Sequence, residues 1–320
     1  MVNNWLAELD GRRVTVEVPA TSANLGAGYN CLGVALGLTN RVEVEVRGWS
    51  RDEIELTVDG EGVGELPQDR TNRTVLGIET ALREVRGELP AGVGWRIEMH
   101  NEIPLARGLG SSAAATIAGL VAGNVLLGEP LTQPDLLRLA TEIEGHPDNA
   151  TAALLGGFTA CALVDGSVEA VRFDAPRDLR AVLFVPELRL PTIDMRSALP
   201  PEVPRDDAVA NLARVAIGVA GMATGRFDLL RVLTVDRLHE PYRAAVYPQL
   251  PQLVAAARKA GAIGACLSGA GSTILAFSDS VRTITKIEAA FGAAAADTDL
   301  PGHIVVVSPR NTGAQVLKRG

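Results

Sequence analysis

Residues 103–120 read IPLARGLGSSAAATIAGL. Their glycine–serine loop, GLGSS at residues 108–112, stands directly before a run of small helix-forming residues. The N–H groups of a first helical turn have no partners within the helix, and the helix dipole places partial positive charge there. Glycines let backbone approach a phosphate closely, and hydroxyls add donors or a metal ligand. The stretch therefore predicts an anion site at the start of a buried helix, with a purely structural glycine turn as the alternative.

Other glycine-loop sites fit this stretch less well. An ordinary P-loop needs Gly-Lys before Ser or Thr, and the chain's lysines (Lys259, Lys286 and Lys318) lie far from any glycine loop. Residues 108–113 match the pattern G-x-G-x-x-G/A of dinucleotide-binding folds. The acidic residue required about 20 positions later would be Glu129, which lies between two predicted helices rather than at a strand end. Because no G-x-S-x-G elbow is present, a nucleophilic serine is also disfavoured.

Composition limits the class of protein. The chain has 320 residues, 47% hydrophobic and 21% charged, which suffices for one large domain or two ordinary ones. A net charge of −8 argues against non-specific binding to nucleic acid or to an anionic membrane. Cys31, Cys161 and Cys266 are far apart, so we expect buried thiols rather than disulfides or a zinc site. With no secretory signal or membrane span in the pattern, we expect a cytoplasmic protein with a small-molecule partner.

Hydrophobic periodicity predicts a mixture of strands and helices. Strands are expected at residues 14–18, 41–46, 54–58, 95–99, 158–164, 168–173, 180–185 and 304–308. Helices are expected at residues 74–86, 112–127, 132–144, 207–221, 228–236, 248–260 and 281–290. Because they do not alternate steadily, we predict an α+β protein rather than a parallel barrel. We place two domains at residues 1–165 and 166–320, and the long proline-rich connection 186–204 is expected to be functional.

Three further segments bear on the anion site. Residues 19–30, PATSANLGAGYN, form a second glycine-rich turn after a strand, and residues 267–273, LSGAGST, form a third between apolar runs. Residues 144–149, EGHPDN, place two acids, a histidine and an amide within six positions. Three glycine loops and an acidic cluster, without a His/Cys metal-binding set, suit a nucleotide–magnesium site.

In this order the segments resemble the motifs of the GHMP kinases. Residues 19–36 resemble the first motif, 104–114 the phosphate loop and 267–277 the third motif. Within that superfamily, EGHPDNATAALLGG (144–157), TIDMR (192–196) and HEPYR (239–243) resemble the homoserine kinases. The resemblance spans roughly residues 14–277. It implies an N-terminal domain like ribosomal protein S5 domain 2, a ferredoxin-like C-terminal domain and an active site between them.

The resemblance also implies an activity: phosphorylation of L-homoserine by ATP and Mg²⁺ to give O-phospho-L-homoserine, a step toward threonine. Such kinases are often homodimers. Ser112 and Glu144 would ligate Mg²⁺, and Asn72 would help to hold adenine. The ATP phosphates would lie along the phosphate loop, at Pro104, Leu105, Ala106, Arg107, Gly108, Leu109, Gly110, Ser111, Ser112, Ala113 and Ala114.

By the same resemblance, the acceptor site comprises Asn24, Asn30, His146, Asp148, Arg196 and Arg243. Two arginines can hold an amino acid's carboxylate through forked, charge-assisted hydrogen bonds. Asp148 and Arg243 are the expected catalytic residues, with Asp148 positioning the substrate or, alternatively, acting as a base. Each of these side chains also has a structural alternative, such as a solvated surface arginine or a capping residue.

Two positions depart from the homoserine kinase pattern. Asn30 replaces the usual aspartate, which removes a charge expected near the substrate's ammonium group. A charged hydrogen bond contributes roughly 1.5–3 kcal/mol against about 1 for a neutral one, so the expected loss in affinity is about tenfold. Ser272 replaces the usual proline of the third motif, which should reduce order in that loop. The departures leave two alternatives open: a kinase for a different small alcohol, or a catalytically weak binding relative.

Overall fold

The structure, a computed structural model, describes residues 8–47, 53–87, 89 and 93–320. It contains two sheets with helices packed against them, so the predicted α+β class is confirmed. In these ranges, no helix is long and apolar enough to cross a membrane.

The first sheet has seven strands and contains the N-terminal part of the chain. Its members are β1 (Arg13–Ala23), β2 (Leu32–Arg47), β3 (Ile54–Gly60), β4 (Gly94–Asn101), β5 (Phe158–Val164), β6 (Ser167–Phe173) and β11 (Gln315–Arg319). The main path runs β11-β1-β2-β4-β3, and β5 pairs with the start of β2 and with β6. Valines alternate along β1 and β2 and supply much of the core.

Four helices pack with this sheet: α1 (Arg73–Arg86), α2 (Ser111–Leu126), α3 (Gln133–Glu144) and α4 (Asp148–Leu155). Helix α2 is buried as predicted. It packs so closely on α1 that position 119 must be glycine, since a Cβ there would lie 2.1 Å from the Thr74 carbonyl oxygen. The capping box that opens α3 at Thr132 and Asp135 is confirmed. Helix α4 was not predicted, because its eight residues, DNATAALL, show no helical hydrophobic period.

The second sheet is antiparallel, in the order β10-β7-β9-β8. Its strands are β7 (Arg180–Pro186), β8 (Gly264–Leu267), β9 (Ile274–Ser278) and β10 (Gly302–Val307). The helices of this half are α5 (Thr192–Ser197), α6 (Arg205–Ala223), α7 (Leu230–Leu233), α8 (Glu240–Arg243), α9 (Leu250–Lys259) and α10 (Val281–Asp297). Helices α9 and α10 cover the sheet, for example where Phe291 meets Phe184 at 5.9 Å between ring centres.

The expected division of the chain after residue 165 separates two strands that pair with each other. Strand β6 lies beyond that point but forms a hairpin with β5, and β11 returns from the C-terminus to pair with β1. The turn at Asp165-Gly166 has the composition of a linker, but here it is a hairpin turn. Strand β11 was missed because QVLKR is short and mostly exposed, and so lacks a hydrophobic alternation.

The three cysteines are free thiols. Cys161 and Cys266 are buried as expected, whereas Cys31 is half-buried. Burial raises the pKa of Cys31 to about 11 and that of Cys161 to about 12. These thiols are therefore unreactive at neutral pH.

Candidate active site

The three glycine loops meet at one cleft. The backbone N–H of Thr21 in the first loop donates to the Leu109 carbonyl of the phosphate loop over 3.0 Å. The hydroxyl of Ser268 in the third loop donates to the Gly108 carbonyl over 2.7 Å. The Asn24 amide then joins the first loop to the third by donating to Gly269 O over 2.9 Å. The fold thus brings together segments separated by more than 200 residues in sequence.

Glycine is required at two positions of the phosphate loop. Gly108 and Gly110 have φ values of +73° and +71°, which favour glycine. A Cβ at Gly108 would lie 2.1 Å from Ser268 O, and one at Gly110 would lie 1.9 Å from Thr21 Oγ1. Within the part of the chain that the structure describes, no side chain caps α2, so the N–H groups of its first turn have no side-chain acceptor there. These are the features on which the predicted anion site depends, and the binding of an anion there stays a prediction.

Most of the predicted phosphate-loop residues line the cleft, but three predicted nucleotide contacts do not. Pro104 and residues 106–113 belong to the lining, whereas Leu105, Ala114 and Asn72 lie outside it. The Asn72 side chain caps α1 by accepting from Thr74 N over 2.9 Å, and its amide donates to Pro67 O over 2.9 Å. With both ends of that amide engaged, Asn72 stabilises the segment before α1 rather than facing the cleft.

Arg107 lines the cleft but uses its guanidinium for backbone contacts. It donates to Pro186 O and Leu105 O over 2.7 Å each and to Glu187 O over 3.1 Å. Desolvation by burial lowers its pKa, although a guanidinium stays charged at neutral pH. Arg107 therefore ties the phosphate loop to the end of β7, and its charge contributes to the field of the cleft from a fixed position.

Ser112 and Glu144 form a compact oxygen cluster at the start of α2. The Ser112 hydroxyl lies 2.9 Å from Glu144 Oε1 and 2.8 Å from Oε2. Thr116, one turn further along α2, donates to Glu144 Oε1 over 2.7 Å. Mg²⁺ takes oxygen ligands at about 2.0–2.1 Å in an octahedron, so adjacent ligands lie about 2.9 Å apart. The all-oxygen donor set therefore fits Mg²⁺, and the spacing, here that of a hydrogen bond, is compatible with two adjacent ligands.

The opposite side of the cleft carries two arginines around one aromatic ring. The guanidinium carbons of Arg243 and Arg196 lie 5.6 and 6.0 Å from the centre of the Tyr29 ring. Arg196 also donates to the Tyr29 hydroxyl over 3.4 Å. Within the described residues, neither arginine pairs with a carboxylate. The Asp236 carboxylate acts on Arg243 only from beyond ion-pair distance, so this side of the cleft suits an anion that bonds directly to the two guanidiniums.

The guanidinium of Arg243 is buried and donates hydrogen bonds to backbone carbonyls. The residue is 1% exposed, and it donates to Gly269 O over 2.9 Å and to Met195 O over 3.3 Å. Burial lowers its pKa, and the nearby charge of Arg196 acts in the same direction. A buried cation with neutral partners is strongly stabilised by an incoming anion, because little water competes for it.

Two asparagines close the cleft next to the arginines. The backbone N–H of Asn30 donates to Asn24 Oδ1 over 3.0 Å, and Asn30 Oδ1 accepts from Arg196 over 3.1 Å. Both residues have positive φ values, 69° and 57°, which asparagine tolerates better than most residues. The departure at position 30 therefore leaves the Arg196 charge free, since an amide oxygen does not neutralise it.

His146 and Asp148 lie between the arginines and the phosphate loop. Asp148 Oδ1 is 2.7 Å from His146 Nδ1 and accepts from Asn149 N over 2.9 Å. Asp148 is 2% exposed, yet it lines the cleft. In the described part of the chain, Oδ2 of this carboxylate has no hydrogen-bond partner, so it can accept a proton or an N–H from a ligand.

The cleft therefore gathers every acceptor-site residue expected from the sequence and both expected metal ligands: Asn24, Asn30, Ser112, Glu144, His146, Asp148, Arg196 and Arg243. The cleft lining also includes residues that were not predicted from the sequence, namely Ala23, Tyr29, Asn149, Thr192, Gly269 and Ala270. Tyr29 and Asn149 are neighbours of predicted site residues, and Thr192 opens the TIDMR segment, so their positions were a usable signal. Thr116 could have been found from its spacing, four residues after Ser112 on the same helix face.

Known proteins match the chain along most of its length. The model of the GHMP kinases N terminal domain matches residues 73–157, and the GHMP kinases C terminal model matches 219–297. The homoserine kinase of Moorella thermoacetica is 40% identical over 302 residues, covering 94% of this chain and 99% of the relative. That of Corynebacterium efficiens is 44% identical over 275 residues, covering 84% and 86%.

Solved structures agree with these matches. The homoserine kinase of Cytophaga hutchinsonii superposes with a TM-score of 0.83 at 31% identity, covering 95% of this chain and 97% of that one. The mevalonate kinase of L. major in complex with R-mevalonate has a TM-score of 0.68 at 16% identity, a likeness of fold alone. The expected two-domain fold is thereby confirmed.

Proposed function

Because the chain belongs to the homoserine kinases of the GHMP kinase family, we propose that it transfers the γ-phosphoryl group of ATP to the side-chain hydroxyl of L-homoserine. The products are ADP and O-phospho-L-homoserine, a precursor of threonine. One observation carries the choice of acceptor: Arg196 and Arg243 flank Tyr29 without a carboxylate partner in the described residues, next to the phosphate loop. An amino acid's carboxylate supplies the missing charge.

The donor side of the cleft suits the phosphates of ATP. The γ-phosphate would lie against the N–H groups at the start of α2, where the helix dipole favours negative charge. Ser112 and Glu144 would hold Mg²⁺, which supplies charge neutralisation on the β- and γ-phosphate oxygens. Thr116 keeps the Glu144 carboxylate turned toward Ser112.

The acceptor would bind by its charged end. Its carboxylate would receive forked hydrogen bonds from Arg196 and Arg243. Its ammonium group would donate to the side-chain oxygens of Asn24 and Asn30. In this orientation the side-chain hydroxyl extends toward Asp148 and the phosphate loop, which lie along the same cleft.

Catalysis would then rest on positioning and on charge stabilisation. The acceptor hydroxyl oxygen attacks the γ-phosphorus in line, and the bond from that phosphorus to the β–γ bridging oxygen breaks. The hydroxyl proton passes to Oδ2 of Asp148, whose other oxygen is fixed by His146 and Asn149. The guanidinium of Arg243 would add fixed positive charge to the same cleft while it holds the acceptor's carboxylate.

The test is ADP release with Mg²⁺-ATP against L-homoserine, mevalonate, galactose, L-threonine, L-serine and no acceptor. We expect robust turnover on L-homoserine and background rates on the other compounds. Preference for another alcohol would overturn the acceptor assignment. Absence of turnover on every compound, with ATP still binding, would overturn the catalytic assignment.

A further inference from the structure

His239 lies directly behind Arg243 and has no role in the site described so far. It belongs to the HEPYR segment, and its side chain is fully buried. Its Nε2 atom is 2.8 Å from the Gly26 carbonyl oxygen, and its Nδ1 atom is 3.1 Å from a terminal nitrogen of Arg243. The ring therefore bridges the first glycine loop and the arginine of the acceptor site.

The two neighbours determine where the proton of the ring is. A carbonyl oxygen can only accept, so Nε2 must carry the hydrogen. A guanidinium can only donate, so Nδ1 must present its lone pair to Arg243. Only the neutral ring with hydrogen on Nε2 satisfies both contacts. Burial lowers the pKa of His239 to about 4, in agreement with a neutral ring at physiological pH.

The ring is also fixed from its other sides. The Asp236 carboxylate accepts from the backbone N–H groups of His239 and Glu240 over 2.8 and 2.7 Å and from the Asn211 amide over 2.7 Å. Tyr29 packs on the imidazole at 5.3 Å between ring centres. Burial disfavours the charged form of Asp236, but its neighbours outweigh that effect and lower its pKa. The Asp236 contacts therefore fix the backbone that carries the ring, and turning the ring itself would break its contacts with Gly26 O and Arg243.

We infer that His239 is a positioning residue for the acceptor's carboxylate, acting through Arg243; this inference rests on the proposed function. Nδ1 accepts a hydrogen bond from one N–H of Arg243, and the carbonyl oxygens of Gly269 and Met195 accept from two others. These three acceptors fix the plane of the guanidinium, and the remaining donors are then available to an incoming carboxylate. Since Nε2 binds Gly26, the orientation of Arg243 is set relative to the loop that carries Asn24 and Asn30.

Two substitutions separate the contacts of the ring. In His239→Asn, the amide oxygen can take the place of Nδ1 and accept from Arg243, while the Gly26 contact is lost. In His239→Gln, the amide N–H can take the place of Nε2 and donate to Gly26, while the acceptor for Arg243 is lost. Steady-state kinetics should show a KM for L-homoserine raised about tenfold or more in His239→Gln but within about threefold of wild type in His239→Asn. The KM for ATP should stay within about twofold in both.

The opposite ranking of the two variants, or equal KM values for L-homoserine, would overturn the inference. Thermal unfolding of each variant shows whether it is folded. A second measurement needs no acceptor: ¹⁵N NMR of the histidines in the wild-type protein. The chain has four histidines, so the His239 signal is identified by its loss in His239→Asn. We expect a neutral ring with hydrogen on Nε2 at pH 7; hydrogen on Nδ1 or a charged ring would refute the positioning geometry even if homoserine is the acceptor.

Discussion

The hydroxyl of Ser112 donates to the carboxylate of Glu144, with distances of 2.8 and 2.9 Å to its two oxygens, and we propose that these two side chains hold Mg²⁺. Glu144→Gln keeps the shape but removes the charge that attracts the cation. We expect kcat to fall by about hundredfold or more, since charge neutralisation of the phosphates is a main contribution to phosphoryl transfer. The matched control is Glu142→Gln, on the same helix but paired with Arg138. An equal effect of the two substitutions on kcat would argue against the metal site.

Substitution of Thr116 tests whether its contact with Glu144 supports the proposed metal site. Thr116 is fully buried, and it donates to Glu144 Oε1 over 2.7 Å. Thr116→Val keeps the volume and removes the hydroxyl, so the carboxylate loses one of the contacts that orient it. Loss of such a supporting contact typically costs 10–100-fold in metal affinity. The Mg²⁺ concentration for half-maximal activity should rise about tenfold, whereas Thr116→Ser should restore it; an unchanged Mg²⁺ requirement in Thr116→Val would exclude this role.

Asn30 tests how charge is divided in the acceptor site. Its side-chain oxygen accepts from Arg196 over 3.1 Å, so an aspartate there would pair with that arginine. Two analogues that compete with L-homoserine isolate the consequences: 4-hydroxybutyrate lacks the amino group of homoserine, and 3-amino-1-propanol lacks its carboxylate. Asn30→Asp should weaken inhibition by 4-hydroxybutyrate and strengthen inhibition by 3-amino-1-propanol, each by about tenfold. Changes in the same direction for both compounds would contradict this account.

The buried carboxyl group of Glu240 should make the free energy of unfolding depend on pH. Burial raises the pKa of this group to about 8, although the Leu267 N–H donates to it over 2.7 Å. The unfolded chain releases this proton near pH 4.5, whereas the folded chain keeps it up to about pH 8. The contribution of Glu240 to the free energy of unfolding therefore falls as the pH rises from about 4.5 to about 8.

Glu240→Gln removes that dependence while keeping an oxygen for Leu267 N. As the pH rises from 5 to 8, the free energy of unfolding of the variant should increase by about 1–3 kcal/mol relative to that of the wild type. Urea denaturation at the two pH values measures the difference, in which the other titrating groups cancel. A difference between the proteins that is independent of pH would show that Glu240 is ionised in the folded chain.

Much of this molecule could be predicted from local pattern. Alternating valines in β1 and β2 and the capping box at Thr132 are signals within a few residues, and the structure follows them. Short elements such as α4 and β11 could not be found, since tertiary contacts stabilise them more than their own sequence does. The role of Asn72 as a helix cap depends on where α1 begins, which the motif alone did not show.

The site was predictable as a set of residues but not as a set of contacts. Glycine loops and charged segments indicated which residues matter, because phosphate and carboxylate binding require those residue types. The guanidinium of Arg107 donates to a backbone carbonyl at the end of β7, and Tyr29 lies between two arginines. Both contacts depend on the packing of segments far apart in sequence. Such contacts have no local signature.

We propose that Arg196 and Arg243 bind the carboxylate of a hydroxylated amino acid. The most direct measurement compares kcat/KM for L-homoserine and for 3-amino-1-propanol in the wild type, in Arg196→Gln and in the control Arg189→Gln, whose arginine pairs with Glu65 outside the cleft lining. We predict a preference for L-homoserine of about hundredfold or more in the wild type and the control, and a loss of most of that preference in Arg196→Gln. Equal kcat/KM values for the two compounds in the wild type, or an unchanged preference in Arg196→Gln, would contradict the claim.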